Sequence, residues 1–231
     1  MITVRHADDR GRANFGWLDS KHTFSFGHYY DPKHMGFSAL RVINDDTVTP
    51  GAGFDTHGHR DMEIISYVLD GEIAHKDSEG NIKSLPAGEF QLMSAGSGIY
   101  HSEFNHSDTA PLHFLQIWIQ PNVTGQQPGY QQKDFGQNNG LTTIATPTGE
   151  NGTLMIKQDA SLHQLILPVD SEIELPISEG RCVYVHQIEG NLTVDNTSLQ
   201  PGDGAKVEAQ NMLKFRNLGQ APVKALVFDL P

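Results

Sequence analysis

The chain has 231 residues, of which 37% are apolar and 19% charged, a globular composition long enough for one large β domain or two small ones. Its net charge of −12 repels phosphate backbones, and no Lys/Arg cluster reverses that locally, so direct nucleic-acid binding is not expected. A single cysteine, Cys182, excludes an internal disulfide and a cysteine-built zinc site. It falls in an apolar strand run and reads as a small core residue.

In chain order, residues 1–12 are charged and carry no signal-like apolar stretch. The longest apolar run, residues 112–119, is too short to cross a bilayer. The expectation is a cytoplasmic protein without a membrane segment. Alternation predicts a strand over 37–43 and another over 63–69. Asp70-Gly71 follows as a hairpin signal before a strand over 72–75. Leu112, Phe114, Ile117 and Ile119 mark a further strand, with a slip near Gln116. Residues 121–139, rich in Gly, Pro, Gln and Asn, read as a linker. The best short helix candidate is 159–167.

Two blocks recur in the same order. Residues 67–73 (YVLDGEI) match 186–192 (HQIEGNL), and 84–89 (SLPAGE) match 198–203 (SLQPGD). The repeat predicts two β domains, residues 1–125 and 126–231.

Ligand chemistry concentrates in the first half. His57 and His59 are two apart, so on a strand both imidazoles point to one side. His101 and Glu103 repeat the spacing. If the two segments lie side by side, three imidazoles and one carboxylate converge on one divalent ion. That donor set suits Fe, Cu, Ni, Co, Mn or Zn rather than Ca or Mg, and it leaves positions open on a six-coordinate ion. Glu63, four residues past His59, competes with Glu103 for the carboxylate role. The remaining histidines, His75 among them, read as solvent-facing or hydrogen-bonded.

The run from Gly51 through His57, His59 and Glu63 to Gly71 resembles the first cupin motif, with Gly71 one residue late. Gly98, His101 and Asn105 resemble the end of the second, with Gly96 in place of its proline. The segments HTFSF (22–26), YYDP (29–32), LRVINDD (40–46) and MSAGSGIYHSE (93–103) resemble the pirin family, nearest its bacterial quercetin 2,3-dioxygenase-like branch. The likeness is strong over 11–121 and degenerate beyond. It implies an all-β bicupin of two antiparallel jelly-roll barrels, with metal in the first barrel only. It also implies His57, His59, His101 and Glu103 as ligands, Fe foremost, which favours Glu103 over Glu63. Aligned through the repeat, the second half offers Pro176, Ser178, Phe215 and Asn217 instead. The implied activity is flavonol ring opening by dioxygen with release of carbon monoxide, Glu103 also serving as catalytic base. The implied partners are then a small aromatic substrate and dioxygen. The alternative that the family implies is a metal-binding redox regulator acting on a protein partner.

Overall fold

A computed structural model describes all residues, Met1–Pro231, and the chain is an all-β bicupin. It divides into two compact units. One comprises Gly11–Gly136 and Ile156–Gln158; the other comprises Met1–Arg10, Gln137–Met155 and Asp159–Pro231. No helix is long and apolar enough to cross a membrane.

Each unit pairs a seven-stranded sheet with a four-stranded one. In the first unit the larger sheet centres on Glu63–Asp70, flanked by Glu89–Ser94 and Leu112–Ile119. Its first six residues are buried, because the strand faces the barrel interior on one side and is covered on the other. Leu40–Val48, Leu18–His22 and Gly11–Asn14 extend the sheet one way and Gly129–Asp134 the other. The smaller sheet runs Gly53–His59, Ile99–Asn105, Glu72–Asp77, Ile82–Pro86. Leu18, Val48, Val68, Ile73, Leu85, Leu112 and Phe114 form one apolar cluster of this unit. Ile64, Met93, Ala95 and Ile99 form another.

The second unit repeats this plan except at the edges of its larger sheet, where Leu154–Met155 pairs parallel with Gly140–Thr146 while Gly11–Asn14 pairs antiparallel with Leu18–His22. Its larger sheet runs Ile2–Arg5, Gly204–Val207, Cys182–Glu189, Val223–Leu230, Ser161–Leu167, Gly140–Thr146, Leu154–Met155. Its smaller sheet runs Glu172–Pro176, Met212–Asn217, Leu192–Val194, Thr197–Leu199. The edge position held by Gly129–Asp134 in the first unit is held here by Ile2–Arg5, with Ile2 opposite Val207 and Arg5 opposite Gly204.

Five expectations change. The division does not fall at 125/126: strand pairing draws Met1–Arg10 into the second unit and holds Gly129–Asp134 in the first. The expected linker therefore contains a strand, anchored where the Tyr130 hydroxyl meets Gln91 and Gln132. Asp70-Gly71 does not close a hairpin. The strands on either side belong to different sheets, and Gly71, at φ 85°, turns the barrel corner between them. The short helix candidate is the strand Ser161–Leu167, whose residues pair on both sides with Gly140–Thr146 and Val223–Leu230. Cys182 sits at a strand start and is only half-buried.

Candidate metal centre

Strand Ile99–Asn105 lies between Gly53–His59 and Glu72–Asp77. His101 stands opposite His57, and Ile99 opposite His59. Between His101 and Glu103 the register slips: Glu103 faces Phe54, so Asp55 and Thr56 together oppose Ser102. Such a bulge re-aims side chains beside a site. Here the Nδ1–H of His57 donates to the Asp55 carbonyl at 2.7 Å. That bond fixes the tautomer and leaves the Nε2 lone pair of His57 free for an ion.

The three rings crowd together. Their centroids are separated by 4.4 Å (His57–His101), 4.8 Å (His57–His59) and 4.9 Å (His59–His101). The Nε2 atoms of His59 and His101 are 3.0 Å apart. Two nitrogens each about 2.1 Å from one ion, at right angles across it, stand about 3 Å apart, so the pair already has coordination spacing. Burial pushes His59 down to about 4 and His101 down to about 3, with the neighbouring imidazoles adding to the effect. Both are thus neutral near pH 7, the form that binds metal.

Ligand-type atoms fall into two overlapping groups that share His101: His57, His59 and His101 in one, His75, His101 and Glu103 in the other. Glu103 is buried, with Oε1 accepting from Ser66 Oγ at 3.3 Å and Oε2 from Gln116 Nε2 at 2.9 Å. Trp118 Nε1 donates to Gln116 Oε1 at 3.4 Å and so orients the amide. Glu63 is excluded from both groups. Its Oε2 accepts from Ser94 Oγ at 2.9 Å and from the Lys157 amide at 3.1 Å, and burial raises its pKa above the ordinary carboxylate range.

His75 was missed by sequence reasoning. It is buried, its Nε2–H donates to Asp77 Oδ2 at 3.0 Å, and its Nδ1 has no partner. Asp77 is fixed in turn by the amides of Glu79 and Asn81 and by the Asn81 side chain. The signal was present: His75 and Asp77 are two apart on a strand, like the other two pairs.

Beside the histidines opens a cavity of about 800 Å³, lined by the aromatic side chains Phe26, Tyr29, Phe54 and Trp118, and by Asn44, Asp46 and Gln116. The Trp118 ring meets His59 edge-on at 5.0 Å. The cavity adjoins two of the three imidazoles and is of a size that takes a small aromatic molecule.

Comparison with known proteins places the chain. Residues 3–119 match the family described as Pirin, and residues 143–230 match the quercetinase C-terminal cupin domain. The chain belongs to the pirin family. A quercetin 2,3-dioxygenase of Escherichia coli (strain K12) is 46% identical to this pirin over 231 residues, spanning 100% of this chain and 99% of that protein. Pirin-like protein YhaK of the same organism is 34% identical over 236 residues, with 100% of both chains covered. The crystal structure of bacterial pirin YhhW in complex with nickel(II) from Escherichia coli superposes with a TM-score of 0.97 at 45% identity, covering 100% of this chain and 99% of that one.

The second barrel of this pirin shows what the site looks like when it is filled. Asn105 Nδ2 donates to the carbonyls of Val48 and Ala110, and its Oδ1 accepts from Ser107. Asn217 makes the same three bonds, to Leu167, Ala221 and Gly219, so the two asparagines are equivalent. Carrying the registers from that anchor puts Leu175, Ile177, Leu213 and Phe215 at the positions of His57, His59, His101 and Glu103. Val194, Val185, Ala205 and Val227 replace His75, Ser66, Gln91 and Gln116. This corrects the alignment to Pro176, Ser178, Phe215 and Asn217. The turn after Ile177 is one residue longer than its counterpart and the turn before Met212 is two shorter, shifting both pairs. The replacements interlock in one apolar cluster.

Proposed function

We propose that this pirin is a metal-dependent dioxygenase that opens the central ring of quercetin or a similar flavonol with dioxygen and releases carbon monoxide. The ion would be held in the first barrel by His57, His59, His101 and Glu103, and the second barrel would hold none. The observation that carries the reading is three converging imidazoles, two of them with Nε2 atoms 3.0 Å apart, beside a cavity walled by aromatic rings. Fe is the first candidate, and the donor set also suits Cu, Ni, Co, Mn or Zn. When bound, the metal supplies Lewis acidity that lowers the effective pKa of a 3-hydroxyl beside a 4-carbonyl.

The remaining work falls to side chains of the chain itself. The aromatic cavity walls hold the planar substrate and exclude water from it. A carboxylate oxygen of Glu103 takes the hydroxyl proton, which makes the ring electron-rich toward dioxygen. Ser66 and Gln116 hold that carboxylate in place, and Trp118 holds Gln116. Asp55 keeps the His57 ring in the ligating tautomer.

The test is reconstitution. Metal-stripped protein is reloaded with Fe, Ni, Co, Mn, Cu or Zn and given quercetin in an oxygen electrode, with carbon monoxide measured in parallel. Multiple turnovers in at least one metal form, abolished in a His57→Ala/His101→Ala double variant, are expected. Stoichiometric metal without turnover in any form would overturn the enzyme reading and point to a redox-responsive regulator.

A further inference from the structure

The cavity wall farther from the imidazoles carries buried polar atoms that neither the metal nor the Glu103 network uses. One cross-strand row runs through the larger sheet. His22 stands opposite Asn44, Asn44 opposite Gln116, and Gln116 opposite Ser66. Gln116 and Ser66 are engaged with Glu103. The other two are not. Asn44 is 3% exposed and His22 4% exposed, yet Asn44 Oδ1 and His22 Nδ1 have no hydrogen-bond partner, although both residues line the cavity.

A buried acceptor left without a partner is costly, and a wall that retains one suits a ligand that supplies the missing hydrogen. Aromatic rings frame this corner: Phe26 meets His22 edge-on at 5.3 Å and Trp118 edge-on at 5.3 Å. A ligand ring packed against them from the cavity side would bring its edge to the amide and the imidazole. Burial also lowers the pKa of His22, so its imidazole is neutral at pH 7 and able to accept. From Gln116, which touches Glu103, to His22 is two strand spacings, about 10 Å. Two or three linked rings cover that span.

Resting on the dioxygenase reading of the same cavity, we infer that Asn44 and His22 form a second recognition pole. It accepts a hydroxyl hydrogen from the ring remote from the metal, so the ligand class is a planar polyphenol hydroxylated at both ends. An aromatic carrying only its metal-facing hydroxyl leaves both acceptors unpaired, and binds more weakly. The second barrel has His163 at the position of Asn44 and Thr143 at that of His22, and there the two residues bond each other at 3.1 Å. The open pair is therefore particular to the barrel with the cavity.

The test measures binding instead of turnover. The full-length protein is loaded with Zn(II), which is redox-inert. Quenching of its tryptophan fluorescence is titrated with quercetin and with 3-hydroxyflavone, which keeps the metal-facing hydroxyl and carbonyl and lacks the other hydroxyls. Native protein is compared with Asn44→Leu and, separately, His22→Leu, each first shown to hold one Zn per chain. The ratio of the two dissociation constants is the readout, since it cancels the ligands' different solubilities and any general loosening of the cavity. The preference for quercetin is expected to fall at least fivefold in Asn44→Leu and in the same direction in His22→Leu. An unchanged ratio in both variants overturns the second pole and leaves the dioxygenase reading intact. Failure of native protein to bind either flavonol overturns both.

Discussion

Asp46 offers a quantitative test of the cavity's electrostatics. It lines the cavity, is 3% exposed, and accepts a hydrogen bond from Ser20 Oγ. Burial pushes its carboxyl up from 3.8 to about 7, against the pull of the Ser20 bond, with the neighbouring Asp45 and Glu103 charges adding to the rise. Between those two values the folded protein holds a proton that the unfolded chain has released. Stability from this group is therefore fully present below about pH 4 and is lost as pH rises through 7. A shift of about three units corresponds to about 4 kcal/mol across that window. An asparagine side chain at this position would keep the acceptor for Ser20 and carry no titrating proton. Asp46→Asn is thus expected to be near-neutral at pH 4.5 and to stabilise the protein by up to about 4 kcal/mol at pH 8. Both tryptophans, Trp17 and Trp118, lie in the first unit, so tryptophan fluorescence during guanidinium unfolding reports that unit alone. Metal-stripped protein is used, and titrations common to both chains cancel in the difference. Stability–pH curves that run parallel for native and Asp46→Asn would refute the reasoning.

Glu103→Gln should retain metal through the three histidines and lose about a hundredfold or more in kcat, read by oxygen uptake beside elemental analysis. Normal turnover in that variant would remove Glu103 as the base. His57→Ala/His101→Ala should fall from one metal per chain to none, with secondary structure unchanged by circular dichroism. Gly11→Ala would place a Cβ 2.2 Å from Cγ of Tyr29, so the ring must leave its place in the cavity wall. That variant should bind quercetin more weakly at unchanged metal content. Equal affinity would mean that the Tyr29 ring takes no part in binding.

How much of this was legible in the sequence varied with the range of the interaction. The pairs His57/His59 and His101/Glu103 could be found because strand periodicity is local, and residues two apart share a face whatever the partner strand. His75/Asp77 obeys the same rule and was lost by ending its strand at His75. Asp70-Gly71 announced a turn correctly, but a turn signal does not say which sheet the next strand joins. The Ser161–Leu167 strand was hidden because its pairing with Gly140–Thr146 and Val223–Leu230 is non-local and leaves no mark on its own composition. Tyr130 sits in a Gln-rich stretch whose composition hides an edge strand. The repeat itself was visible, yet its register in the second barrel depended on turn lengths that align poorly by eye.

The strand Ile2–Arg5 has a consequence for how the protein is made. Its hydrogen-bonding partners, Gly204–Val207, follow it by about 200 positions. At a synthesis rate of about 5–20 residues per second, this segment leaves the ribosome about 10–40 s before its partner exists. Throughout that interval an apolar-polar alternating strand is free to pair with the wrong edge, on this chain or a neighbouring one. Gly129–Asp134, by contrast, is made after the sheet it joins. Birth order thus separates the two halves: the histidine-bearing barrel can close as it emerges, while the other must wait until Ile2–Arg5 meets Gly204–Val207.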